Sequence, residues 1–327
     1  MGGERVSGKV GRRAFLLLAV GGLASACAGP MVTVAGRANP VSVPSPKPVP
    51  VPPPPTPSVS LASPSPLAVA RSTADTPLRI GFCGGPNAPA LGRMTGNLES
   101  AGDQLTRQIA EYHTGHPIQP VVELIATRVV STPGADGMYR SRESDNTIQS
   151  YLDEARRLKG MLLLNIQPGH ADFPTEVRAF ERWLNEPDVG LALDPEWAVD
   201  PGVRPGQKFG HVSGAVLDQV SSYVSDLVRR NNLPPKMMIY HQVATSVVRD
   251  EGDLKPHDGV VPIKVVDGIG SAAAKIATWN LVMKQKPDHV QAGFKLFYDE
   301  DTRHGTPLMK PEEVLALRPA PTYVVYE

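Results

Sequence analysis

The chain has 327 residues, 41% of them hydrophobic and 20% charged, and its 33 Lys and Arg balance 33 Asp and Glu. The basic residues are scattered, so no basic stripe exists to grip a nucleic-acid backbone, and no nucleic-acid partner is expected. With only Cys27 and Cys83 present, the chain cannot be a disulfide-stapled scaffold and must be stabilised by a hydrophobic core.

Residues 1–27 read as an export signal. In "GRRAFLLLAVGGLASAC", Arg12 and Arg13 precede Phe15, Leu16 and an apolar run that is too short to span a bilayer as a permanent helix. Paired arginines before such a run are the pattern of twin-arginine export. "ASAC" resembles the lipobox of bacterial lipoproteins, with Ala24 where leucine is usual. The resemblance implies acylation of Cys27 and an extracytoplasmic protein anchored to the cell membrane; the alternative is a plain secretory signal cut near Ala28. A lipidated Cys27 leaves Cys83 without a partner, so no internal disulfide is expected even in an oxidising compartment. Residues 28–76 are rich in Pro, Ser, Val and Ala, densest at "VSVPSPKPVPVPPPPTPSVSLASPSP". They lack the periodicity to bury a face, and proline favours extended polyproline II at roughly 3.1 Å per residue. A spacer is expected here, holding the following domain away from the membrane.

Residues 77–327 are close to the roughly 250 residues typical of one (β/α)8 barrel. Eight short apolar runs recur: "LRIGFCG" (78–84), "VVELIATRV" (121–129), "MLLLNIQ" (161–167), "VGLALDPE" (189–196), "KMMIYHQV" (236–243), "VVPIKVVD" (260–267), "VQAGFKLFYD" (290–299) and "TYVVYE" (322–327). Stretches of helical character lie between them. Leu105, Ile109 and Tyr112 recur at helical spacing in one, and Ile148, Leu152, Ala155 and Leu158 in another. Strands alternating with helices predict a parallel sheet, and eight of them favour a closed α/β TIM barrel. "GFCGGPNAPALG" lacks the spacing and helix start of a dinucleotide fingerprint, which leaves a Rossmann fold as the runner-up.

Side chains two apart on a strand share a face. If the fourth strand runs to Glu196, then Gly190, Ala192, Asp194 and Glu196 face the barrel interior while Leu191 and Leu193 pack against helices. In the third, Met161, Leu163, Asn165 and Gln167 oppose Leu162, Leu164 and Ile166. Polar side chains thus gather inside the carboxyl ends of the strands, where barrel enzymes carry their sites. Two carboxylates held close favour sharing a proton, and a protonated carboxyl is what cleavage of a glycosidic bond requires. Trp197 beside them offers a flat face for a sugar ring.

The stretch from Val189 to Glu196 resembles the strand-4 signature of family 18 glycoside hydrolases, the chitinase-like barrels, Asp-Gly-x-Asp-x-Asp-x-Glu. Gly190, Asp194 and Glu196 match; Val189 and Ala192 occupy the two earlier aspartate positions. The resemblance implies that Glu196 is the general acid and Asp194 its modulator. "LFYDED" resembles the Met-x-Tyr-Asp element of the same family through Tyr298 and Asp299, with Leu296 for methionine and on strand 7 rather than after strand 6. Asp299 is the candidate second carboxylate, as nucleophile or water-activating base. The tail from Ala292 to Glu327 resembles that of exported bacterial lipoproteins.

Further rim candidates for substrate binding are Gln167, Tyr240, His241, Gln242, Asp267, Lys295 and Tyr298. Parity allows either His241 or the Tyr240 and Gln242 pair to face inward. Lys295 and Asp299 are expected to share a face, and Glu123 to pair with the lysine. The long loop "STPGADGMYRSRES", carrying Tyr139 and Arg140, could cover the mouth. Asp194, Glu196, His241 and Asp267 have metal-donor atoms, but no His-x-His or HExxH element occurs, and no metal or cofactor is expected. No Gly-x-Ser-x-Gly elbow is present, and Cys83 reads as a small core residue. The functional expectation is a glycoside-hydrolase-like barrel acting as a monomer on a cell-wall or environmental polysaccharide. The alternative is a glycan-binding lipoprotein on the same barrel that does not cleave.

Overall fold

A computed structural model describes residues 77–115 and 117–327. The export signal, Cys27 and the proline-rich segment lie outside the described residues. Eight parallel strands form the barrel: β1 (Arg79–Gly84), β2 (Gln119–Val129), β3 (Met161–Ile166), β4 (Val189–Leu193), β5 (Lys236–Gln242), β6 (Val260–Val266), β7 (Gln291–Leu296) and β8 (Tyr323–Tyr326). Each pairs with its sequence neighbour, and β1 also pairs with β8, Arg79 opposite Tyr323 and Phe82 opposite Tyr326, so the sheet closes. The chain folds as the α/β TIM barrel expected from its alternation.

Helices α1 (Leu98–Ala110), α2 (Asp145–Arg157), α3 (Phe173–Ala179), α4 (Glu181–Leu184), α5 (Gly214–Asn231), α6 (Ala272–Val282) and α7 (Pro311–Leu315) fill the connections. Their starts are set locally. Asn97, Ser144, Asp172, Ser213 and Ser271 each accept a first-turn backbone N–H on the side chain, which satisfies one of the donors a helix start leaves without an intrahelical acceptor. The β5–β6 connection carries a 3-10 turn, Glu251–Asp253, instead of an α-helix. Glu251 takes the helix's place against the barrel wall, accepting from the Tyr240 hydroxyl at 2.6 Å and from Lys264 Nζ at 2.7 Å.

Alternation divides the buried apolar residues into two cores. Leu162, Leu164, Leu191, Leu193, Met238, Phe294 and Val324 pack outward with helix residues such as Leu105, Leu152, Leu217 and Trp279. Val121, Met161, Leu163, Ala192, Ile239, Val265 and Val325 fill the barrel. Small inward residues leave room for larger ones opposite. A Cβ on Gly81 would lie 2.9 Å from the Tyr323 hydroxyl and 2.8 Å from the Val121 carbonyl.

Two strands end sooner than the apolar runs suggest. β4 stops at Leu193, because Pro195 opens a 3-10 turn, Pro195–Trp197, so strand parity does not extend to Glu196. β7 stops at Leu296, before Asp299. Gly81→Ala is expected to destabilise the fold by about 1–3 kcal/mol through overpacking at Tyr323. A urea midpoint equal to that of the unaltered protein would overturn this account of the close approach.

Candidate functional site

Polar side chains that face inward from five of the strands, and two from just past strand ends, meet in one centre inside the barrel. Glu123 comes from β2, Asn165 from β3, His241 from β5, Lys295 from β7 and Tyr323 from β8, with Asp194 and Asp267 just past β4 and β6. All are buried. On β5 it is His241 that faces inward, in phase with Met237 and Ile239. Tyr240 faces the outer core, and Gln242, two residues on, bonds the Ala244 carbonyl at 3.1 Å. The structure does not bring Tyr240 or Gln242 into the polar centre.

His241 is the hub. Its Nδ1 lies 2.8 Å from Asp267 Oδ1 and its Nε2 lies 3.1 Å from Glu123 Oε1. Burial alone would favour the neutral ring, but the carboxylates of Asp267, Glu123 and Asp194 outweigh it and raise the imidazole to about 10. Burial likewise opposes ionisation of Glu123, yet His241, Lys295 and the Tyr323 hydroxyl together hold that carboxyl down at about 2. The ring is therefore an imidazolium that donates from both nitrogens.

Neutral donors complete the carboxylates. Tyr323 donates to Glu123 Oε2 at 2.8 Å, and Asn165 Nδ2 to Glu123 Oε1 at 2.8 Å and to Asp194 Oδ1 at 3.3 Å. Gln167 Nε2 donates to Asp194 Oδ2 at 3.1 Å, while its Oε1 accepts the Val129 backbone N–H at 3.3 Å. Lys295 pairs with Glu327 at 2.6 Å and lies 3.8 Å from Asp267. Its expected partners are thus replaced: Asp299 lies past the end of β7 in an exposed turn, and Glu123 bonds His241 and Tyr323.

The acid pair of β4 is closed off from solvent. Asp194 is 0% exposed, Glu196 4% and Trp197 1%. Trp197 packs with Val129 and Phe209 in a small cluster apart from the two main cores, so its ring offers no open face. Gly210 N donates to the Glu196 carbonyl at 2.7 Å and fixes the following loop over the turn. The long loop after β2 returns as a short strand, Arg140–Arg142, antiparallel to the end of β2. Both its arginines bond the buried Glu176 at 2.8 Å, and Tyr139 contacts the ring of His170.

Asp299 and Tyr298 belong to a second place on the rim, an open cleft of about 380 Å³ between the β1–α1 loop and the turn after β7. Neither Asp194 nor Glu196 lines it. The Tyr298 ring stacks on Tyr326 with centroids 5.4 Å apart, carries the Arg93 guanidinium at 4.3 Å, and donates its hydroxyl to Gln108 at 2.6 Å. Among the described residues, no group of three or more His, Cys, Asp or Glu is arranged to hold a metal ion.

Sequence reasoning placed Asn165 on the inward face without naming it a site residue, and missed Tyr323 in the centre and Arg93, Glu300 and Glu327 in the cleft. Nothing in the sequence ties Arg93 to Tyr298. No protein-family model matches the chain, and a search of the curated proteins finds no relative.

The pH dependence of stability follows from the hub. Glu123 stabilises the fold above its unfolded pKa of 4.5, and this is lost as pH falls toward about 2. His241 contributes fully below its unfolded 6.5, and this is lost as pH rises toward about 10. From these two groups, stability should be greatest between roughly pH 5 and 6.5. His241→Gln, which leaves two buried carboxylates without their cation, is expected to cost about 3–5 kcal/mol and to flatten the alkaline limb. Urea denaturation from pH 4 to 10 checks both; an unchanged alkaline limb in the variant would show that the ring is neutral.

Proposed function

We propose that this chain is an exported, membrane-anchored TIM barrel that binds saccharide at its rim and does not cleave it through the β4 acid pair. One observation carries this choice. Asp194 and Glu196 are almost wholly buried, and Asp194 is engaged by Asn165 and Gln167, whereas the open cleft is built from other residues. A general acid must come within hydrogen-bond reach of the oxygen it protonates, directly or through one water. The Trp197, Val129 and Phe209 cluster lies against the turn that carries Glu196. Polar, open and within the roughly 300–1,000 Å³ usual for small-molecule sites, the cleft suits a hydroxyl-rich ligand of a few sugar units.

Hydrolysis is the second reading, with Glu196 as general acid, Asp194 as modulator and Asp299 as the second carboxylate. It is favoured by the position of the first two at the carboxyl end of β4, and it requires the loop carrying Phe209 to move aside.

Isothermal titration of the full chain in detergent against wall glycans and chitooligosaccharides separates the two. Binding that is equal in the unaltered protein and Glu196→Gln, with no product after long incubation, is the expected result. Product released by the unaltered protein alone would replace binding with hydrolysis.

Export and anchoring have their own test. Replacing Arg12 and Arg13 by lysine is expected to retain the protein in the cytoplasm, and Cys27→Ser to free it from the membrane fraction. Continued sedimentation of the Cys27→Ser protein with membranes would sink the lipid anchor.

A further inference from the structure

Side chains of both charges line the rim cleft. Arg93 is exposed, with its guanidinium over the Tyr298 ring. Among the described residues this guanidinium makes no hydrogen bond or ion pair. Its seat is rigid, because Tyr298 is stacked on Tyr326 and bonded to Gln108. An arginine fixed in this way keeps a planar fork of donors ready for a carboxylate, and loses little side-chain freedom on binding one. Asn97 and Gln104 add neutral polar groups to the lining.

Three other lining residues are acidic. Asp299, Glu300 and Glu327 line the cleft, and only Glu327 has a strong cationic partner, Lys295 at 2.6 Å. Glu300 has a loose 3.5 Å contact with Arg303. Burial first, then the charges of Glu327 and Asp299, raise the Glu300 carboxyl above its ordinary value. Carboxylates crowded in this way repel one another, and an incoming cation would relieve the repulsion. Arg93, Asp299 and Glu300 line one cleft, and the arginine makes no ion pair with either acid.

We propose that this cleft selects a saccharide unit bearing both a carboxylate and a free ammonium group, the carboxylate on Arg93 and the ammonium on Glu300 and Asp299. The proposal rests on the reading of the chain as a saccharide-binding barrel and adds the charge pattern of the ligand. A neutral sugar would leave Arg93, Asp299 and Glu300 without counter-charge. A purely anionic one would bring its charge toward Asp299 and Glu300, and a purely cationic one would leave the arginine without a partner.

Four monosaccharides test it by titration against the full chain in detergent. They are muramic acid with both charges, N-acetylmuramic acid with the carboxylate alone, glucosamine with the ammonium alone, and N-acetylglucosamine with neither. Muramic acid is expected to bind about tenfold more tightly than either singly charged sugar. Arg93→Gln should reduce muramic acid to the affinity of glucosamine, and Glu300→Gln should reduce it toward that of N-acetylmuramic acid. Both side chains lie on the rim, so an unchanged thermal midpoint serves as the folding control. Equal affinity for all four sugars would overturn the zwitterion proposal and leave the saccharide-binding reading standing. So would binding that neither variant alters. No binding of any sugar, here or in the wider glycan panel, would overturn both.

Discussion

One protonated imidazole holds the centre of this barrel together. His241 stands between the carboxylates of Asp267 and Glu123, donating to one from each ring nitrogen. Removing a charge from water costs several kcal/mol per ion after relaxation, and only close, well-oriented partners offset that cost. The surrounding structure can be read as the means of supplying them. Tyr323 completes Glu123 from β8, and it reaches there because β1 has glycine at position 81. Asn165 bridges Glu123 to Asp194, and Gln167 holds the second oxygen of Asp194 while tying itself to the backbone of β2. Strands β2, β3, β5 and β8, and the ends of β4 and β6, are thereby joined through polar side chains as well as through the sheet.

The same interaction limits the chemistry of the centre. A histidine raised to about 10 with both nitrogens engaged has no free position from which to accept a proton near neutral pH, so it is poorly suited to general-base work there. A Glu123 held at about 2 is equally fixed in its ionised form. Charges that lock each other into one protonation state make good structural ties and poor proton carriers.

How much was legible in the sequence depended on the range of the physics involved. Barrel strands were readable because each is a short apolar run bounded by turn residues, and inward and outward faces followed from a period of two. Parity worked for Leu163 and Asn165 on β3 and failed for Glu196, because a proline two residues beyond the end of β4 turns the chain into a 3-10 geometry. It could not choose between His241 and Tyr240, since both neighbours are bulky and partly polar; the choice is made across the barrel wall by Glu251, which engages the Tyr240 hydroxyl and fills the space left by a missing helix. Partners far apart in the chain, such as Tyr323 with Glu123 or Arg93 with Tyr298, carry no local pattern. They exist only once the barrel closes.

Closure also separates two polar systems that the sequence presents as one set of rim residues. Inside, Glu123, Asp194 and Asp267 are each engaged by a donor and buried under packed side chains; on the rim, Arg93, Asp299 and Glu300 meet solvent in an open cleft. Glu327 belongs to both, lining the cleft and pairing with Lys295, which in turn faces Asp267 and so the imidazolium. Low interior polarity strengthens each of those inner contacts relative to water. Glu327 thus joins the lining of the cleft to the buried ion pair through a single carboxylate.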